Sequence, residues 1–260
     1  MADKFIWYEL MSTDVDAGLE FYKAVVGWNA ADHPGSAESG NRYVVLSVGD
    51  RGVGGALQLT DQMLAGGARP TWIGYIGVDD ADAKVAAIEA AGGKVLMPVN
   101  DIPDVGRFAM LADPGGAPFY ILQPRPPEGG APPRPDAEAP GMISWHELYS
   151  SVGEKAAFDF YSGLFGWQTI TEMPMGEMGS YRIFGEGEQQ MGGMMDKPPN
   201  VPVSAWAFYI NVDGIDAAIE RVRAKGGQIL MGPHEVPGGS WIIQGVDPQG
   251  ANFALVSQTR

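Results

Sequence analysis

The frame Trp-x-Glu-Leu occurs twice, as "WYEL" at residues 7–10 and as "WHEL" at residues 145–148. Each copy sets a carboxylic acid, Glu9 or Glu147, inside a run of aromatic and branched residues that reads as a strand. Neighbours in a strand point to opposite faces, so Trp7, Glu9 and Met11 share one face and Ile6, Tyr8 and Leu10 the other. Burial disfavours an ionised carboxyl unless a partner offsets the lost hydration; an acid so placed can accept a proton, or grip a cation or a hydroxyl. Glu9 and Glu147 are therefore the candidate catalytic residues. The competing reading pairs each with an arginine or a tyrosine hydroxyl purely for architecture. Trp7 and Trp145, with Tyr43 and Tyr181 opening matching strands, add flat rings with polar tips, which suit planar or apolar ligands and fill cores equally well. His146 adjoins Glu147 but points the other way, as a hydrogen-bonded core residue would. His234 in "MGPHEVPGGS" matches Asn100 in "MPVNDIPDVGR", and both read as loop residues where a ligand would approach. His33, in "ADHPGS", reads as a surface residue.

Composition narrows what such residues could serve. Seventeen Lys and Arg against 32 Asp and Glu give a net charge of -15, which repels nucleic acid and anionic membranes. No apolar run approaches the roughly 18 residues of a membrane span, and "MADKFIWYEL" lacks the features of a signal peptide, so a cytoplasmic protein is expected. The absence of cysteine excludes disulfides, thiolate metal sites and cysteine nucleophiles. A metal would need His, carboxylate or amide donors, and there are only three histidines.

The elements that position these residues come as an internal repeat. "YVVLSVGDRGVGGA" (43–56) runs beside "YRIFGEGEQQMGGM" (181–194), "TWIGYIGVDDADAKVAAIEAAGGKVLMP" (71–98) beside "AWAFYINVDGIDAAIERVRAKGGQILMG" (205–232), and "DPGGAPFYIL" (113–122) beside "DPQGANFALV" (247–256). Between the copies, "PRPPEGGAPPRPDAEAPG" is denied helix and sheet by its prolines and reads as a linker. The expected domains are 1–123 and 142–260, joined by a linker at 124–141. Each half reads as two strand–helix–strand–strand–strand (βαβββ) units. The first helix, capped from Ser12, Thr13 and Asp14, places Leu19, Tyr22 and Val26 inward; the second buries Val85, Ile88 and Ala91. Gly54-Gly55 and Gly192-Gly193 lie within strands and predict a bend or a close approach. Met173, Met175, Met178, Met191, Met194 and Met195 cluster in the second half, as adaptable lining or as core.

The repeated helix ending in "FYKAVVGW" or "FYSGLFGW", the "VDDADA…AAGGKVL" segment and the closing "DPGGAPF" or "DPQGANF" resemble the glyoxalase/bleomycin-resistance/dioxygenase superfamily, the vicinal oxygen chelate fold. The resemblance implies an α+β fold of two tandem glyoxalase-like domains, each a pair of βαβββ units with sheets curled around a cavity and helices outside. It also implies a divalent metal held by His, Glu or Gln from the first and last strands of both units. Carried over, those positions fall at Trp7 and Trp145, near Gln58 and Asp196, at Ile73 and Ala207, and at Tyr120 and Ala254. A catalytic zinc needs three protein ligands and an open position, and neither half supplies them. The expectation is therefore no metal and no cofactor, with Tyr120 joining the ligand-binding rings; Gln58, Asp196 and His146 would be the donors if a metal is held. The expected function is binding of a small organic molecule in a sheet cavity, extending to metal-independent catalysis by Glu9 and Glu147. A metal-dependent lyase or extradiol dioxygenase and a non-catalytic sequestering protein are the alternatives. Four units in one chain make a monomer sufficient, with a homodimer as the alternative.

Overall fold

The computed structural model describes residues 3–34, 42–125 and 136–260. The first half runs β1 (Phe5–Ser12), α1 (Val15–Val25), β2 (Asn29–Asp32), β3 (Tyr43–Val48), β4 (Arg51–Gln58), a short α2 (Asp61–Ala65), β5 (Thr71–Gly77), α3 (Ala81–Ala90), β6 (Lys94–Ile102), β7 (Gly106–Ala112) and β8 (Pro118–Pro124). The second half repeats the order as β9 (Ile143–Ser150), α4 (Glu154–Phe165), β10 (Gln168–Pro174), a 3-10 turn (Gly176–Met178), β11 (Ser180–Glu186), β12 (Gln189–Asp196), β13 (Ala205–Asn211), α5 (Ile215–Ala224), β14 (Gln228–Glu235), β15 (Trp241–Val246) and β16 (Asn252–Ser257). Of the expected linker, residues 126–135 lie outside the described part. Pro124 still belongs to β8, and Gly141 bonds to Asn211 through its N–H.

The strands form two eight-stranded mixed sheets, in the orders β2-β3-β4-β1-β5-β8-β7-β6 and β10-β11-β12-β9-β13-β16-β15-β14. Within each βαβββ unit the first and last strands pair in parallel, as β1 with β4, β5 with β8, β9 with β12 and β13 with β16. The helix between them supplies the crossover that parallel pairing demands. Asp14 and Asp80 open α1 and α3 by accepting the amides of Ala17 and Ala83, as N-cap residues do. The buried stripe of α1 is Val15, Gly18, Phe21, Tyr22 and Val25. It is rotated from the expected Leu19–Tyr22–Val26 because two aromatic side chains, not one, turn inward. In α3, Ala81 and Ile88 are buried while Ala91, past the helix end, is exposed.

By packing, the chain divides into two compact units, each drawing one βαβββ unit from either half. One takes the residues up to Ile6, those from Gly74 into the linker, and Trp145–Ala207; the other takes Trp7–Ile73, the linker's end up to Ser144, and Phe208–Arg260. Inside each lies the same polar thread through an aromatic core. In the second, the Trp72 indole donates to the Tyr22 hydroxyl at 2.8 Å, and Tyr22 donates to Asp247 Oδ2 at 3.2 Å. In the first, Trp206 donates to Tyr161 at 2.9 Å and Tyr161 to Asp113 Oδ2 at 3.2 Å. The other oxygen of each aspartate closes the Asp-Pro turn by accepting the amide of Ala117 or Ala251. Burial raises the pKa of both aspartates against these bonds, and raises both tyrosines further, with the adjoining carboxylate adding to it. Rings enclose the thread: Trp167 lies parallel to Tyr161 at 5.3 Å, and Trp28 packs against Tyr22 at 5.8 Å.

The halves differ where Val15 and Val44, both buried, are replaced by Glu154 and Arg182, which form an ion pair beside the Phe158 ring.

Removing the Tyr161 hydroxyl strands a buried indole N–H and a buried carboxylate oxygen. Tyr161→Phe is expected to cost about 2 kcal/mol or more, the range for orphaned buried polar groups, in urea unfolding. A loss below about 0.5 kcal/mol would mean that the thread contributes little.

Candidate functional site

The acids sit where alternation places them, on the face opposite the helices. Leu10 packs against Gly18 of α1 and is fully buried, so Glu9 beside it turns away from the helix. The register then sets the neighbours of Glu147. Gly193 on β12 lies opposite Glu147, Ile183 on β11 lies opposite Gly193, and the next row is Met173, Tyr181, Met195 and Tyr149. A Cβ at Gly193 would fall 2.1 Å from Tyr181 Cζ, so only glycine lets the ring lean across β12 toward the acid. The Tyr181 hydroxyl reaches Glu147 Oε1 at 2.8 Å and accepts the Trp145 indole N–H at 3.0 Å. The Tyr149 hydroxyl donates to Glu147 Oε2 at 2.5 Å. Burial raises the pKa of Tyr181, and the negative charge of Glu147 raises it further. The carboxylate is 8% exposed, while Trp145, Tyr149 and Tyr181 are half-buried rings above it.

The first half builds the same frame with different edges. Gly55 faces Glu9 across β4, and a Cβ there would fall 2.0 Å from the Tyr43 hydroxyl. Trp7 donates its indole N–H to that hydroxyl at 2.8 Å, and Glu9 is 4% exposed. Met11 stands where the second half has Tyr149, and His33 where it has Met173. The paired glycines thus serve close approach, one of the two roles expected of them.

Other expected residues lie elsewhere. Tyr120 is buried in a parallel stack with Tyr75, 4.2 Å between centroids. Asn100 and His234 are exposed but on β6 and β14, not in loops. Register shifts in both strands absorb the proline and glycine that suggested a break. Asn100 donates to its own strand at Pro98. His146 is buried, stacked on Phe5 at 4.5 Å, with Nδ1 2.6 Å from the Met191 carbonyl. Gln58 is bound to a helix start: its Oε1 accepts the Val15 amide at 3.1 Å and its Nε2 donates to Thr13 and Leu59 carbonyls. Asp196 Oδ1 likewise accepts the Glu154 amide at 2.6 Å. His33 is half-buried, with its ring edge-on to Tyr43 at 6.3 Å. The surface reading failed there because strand pairing continues one residue past Asp32, through the bond from the His33 amide to the Tyr43 carbonyl. Tyr149, which strand alternation alone places two residues beyond Glu147 on the same face, joins the site as a further functional residue.

Residues 4–121 and 155–255 match the sequence model of the "Glyoxalase/Bleomycin resistance protein/Dioxygenase superfamily". The chain belongs to that superfamily. A protein of Mycobacterium tuberculosis named "Putative glyoxylase CFP32" is 32% identical over 96% of this chain and 93% of its own. The "Anthracycline biosynthesis protein DnrV" of Streptomyces peucetius is 30% identical over 96% and 91%. The fold matches that of the Mn(II)-bound glyoxalase from Novosphingobium aromaticivorans, with TM-score 0.67 and 18% identity over all of this chain and 83% of the other. The superfamily's metal finds a poor set of donors here. Its positions carry two indoles donated to phenols, two side chains holding helix starts, a stacked phenol and aliphatic groups. Among the described residues no three His, Asp or Glu side chains gather as a metal would require, so these residues do not fit the group.

Burial lowers the His146 pKa to about 4, against about 6.5 unfolded. Protons bind the unfolded chain first as pH falls. The contribution is full above pH 6.5 and on the order of 3 kcal/mol is lost between there and pH 4. Asp113 and Asp247, raised by burial, act with the opposite sign just above the usual aspartate range, equally in any variant. Urea midpoints against pH should fall less steeply in His146→Gln than in the wild type. Matching slopes would contradict a neutral, buried imidazole.

Proposed function

We propose that this superfamily member binds a planar aromatic small molecule against the half-buried Trp and Tyr rings on the helix-free sheet faces. The observation that carries this reading is the indole-to-phenol bond made by the same two residue types in both halves, Trp7 to Tyr43 and Trp145 to Tyr181. These bonds fix both rings, so a flat ligand meets a surface already ordered, and little entropy is lost on stacking. The Tyr181 hydroxyl accepts from Trp145 and donates to Glu147, which leaves its second lone pair for a donor on the ligand. In this reading Glu147 acts through Tyr181 as a positioning residue.

The names of the relatives, a glyoxylase and an anthracycline biosynthesis protein, agree with a small organic ligand. One chain carries all four βαβββ units, so a monomer suffices, and a cysteine-free composition suits the cytoplasm. Among the described residues no helix is long and apolar enough to cross a membrane.

The test is a titration with 2-naphthol followed by quenching of tryptophan fluorescence. Trp145→Ala should weaken binding about three- to tenfold, the value of one lost aromatic contact, and Glu147→Gln should weaken it less. A wild-type protein that does not bind 2-naphthol, or tryptophan variants at both sites that bind within twofold of it, would overturn the reading.

A further inference from the structure

The two halves share tryptophan, tyrosine and glutamate but differ in what flanks them, and the difference is chemical. Beside Tyr181 the second half has Met173 on β10 and Tyr149 on β9; beside Tyr43 the first half has His33 following β2 and Met11 on β1. Strand pairing fixes the direction of His33. Asp32 turns to the helix side, where Arg42 joins it to Asp16 of α1. His33, the next residue, turns to the opposite face, and its ring meets the Tyr43 ring edge-on. That face also carries Trp7, bonded to Tyr43, and Glu9 on β1. The imidazole is half-buried, as are both rings. Among the described residues of this face, the imidazole is the group of a type that ordinarily exchanges a proton near neutral pH. The second half puts a thioether in its place.

We propose that His33 is the proton acceptor of the first-half site, taking the hydroxyl proton of an aromatic ligand that rests on Trp7 and Tyr43. The ligand's O–H bond breaks, the proton forms an N–H bond on the imidazole, and the electron pair stays on the ligand oxygen as a phenolate. Reversal returns the proton, so no other reactant is consumed. The second half holds ligands of the same shape without ionising them. This inference rests on the aromatic-platform reading above, extending it to name the ligand class as phenols and the first half as the site of proton transfer.

The test uses 4-nitrophenol, whose phenolate absorbs visible light where the neutral phenol does not, at about half a pH unit above the ordinary imidazole pKa of about 6.5, where imidazole is largely neutral, reading the excess phenolate band of the bound probe over that of free probe at the same pH. With wild-type protein the bound probe should show the excess band. His33→Gln, or His33→Asn should the first variant not fold, should bind about two- to tenfold more weakly, as expected for one lost hydrogen bond, and lose that band. In parallel, proton–nitrogen NMR of the three histidine side chains should show one imidazole becoming imidazolium as 4-nitrophenol is added, and that signal should be the one missing in the variant. An excess phenolate band that persists without His33, or three imidazoles that do not respond, would overturn the proposal while leaving the platform reading intact. Failure of wild-type protein to bind both 2-naphthol and 4-nitrophenol would overturn both.

Discussion

Everything on the sheets depends on two buried threads in which an indole N–H holds a phenol and the phenol holds an aspartate. Trp72, Tyr22 and Asp247 make one; Trp206, Tyr161 and Asp113 make the other. Each joins the helix of one half to the last hairpin of the other, residues 225 positions apart in the first case and 48 in the second. An aspartate buried against its own hydration stays in place only while its oxygens are filled. The Asp-Pro turn fills one and the tyrosine the other, so helix, turn and strand are fixed together. The repeated "FY…GW" and "DP-x-G" segments are the sequence form of that constraint.

With the helix faces so tied, the opposite faces are left to the acids. A carboxylate beneath aromatic rings is tolerable when phenols donate to it, and Tyr149 and Tyr181 do so for Glu147. Glycine opposite the acid is what admits the tyrosine, so the "GG" and "W-x-E-L" segments form one device written in two places. Duplication preserved that device in both halves while its edges changed, histidine and methionine on one side, methionine and tyrosine on the other. The halves differ in the same way where the buried Val15 and Val44 of the first correspond to the ion-paired Glu154 and Arg182 of the second. Such an exchange is neutral at best for stability.

The fold was largely legible because the repeat, the alternation in β1 and β9 and the proline-rich linker all follow from local chemistry. The choice of face for Glu9, Trp7, Tyr8 and His146 needed only the two-residue period of a strand. What escaped was set by pairing between distant strands. His33 gained its place from one extra backbone bond to Tyr43. Asn100 and His234 stayed in strands through shifts in register with β7 and β15. Gln58 and Asp196 look like metal donors in isolation; only the closure of β4 on β1 and of β12 on β9 brings them to helix starts.

The central claim is that the fixed Trp–Tyr pairs are ligand surfaces and not merely core. A crystal structure of the protein grown with 2-naphthol addresses it most directly. The account predicts ring density parallel to the indole of Trp7 or Trp145, with the naphthol oxygen within hydrogen-bond reach of Tyr43 or Tyr181. Density confined to the outer helix surfaces, with both Trp–Tyr pairs bare, would contradict it.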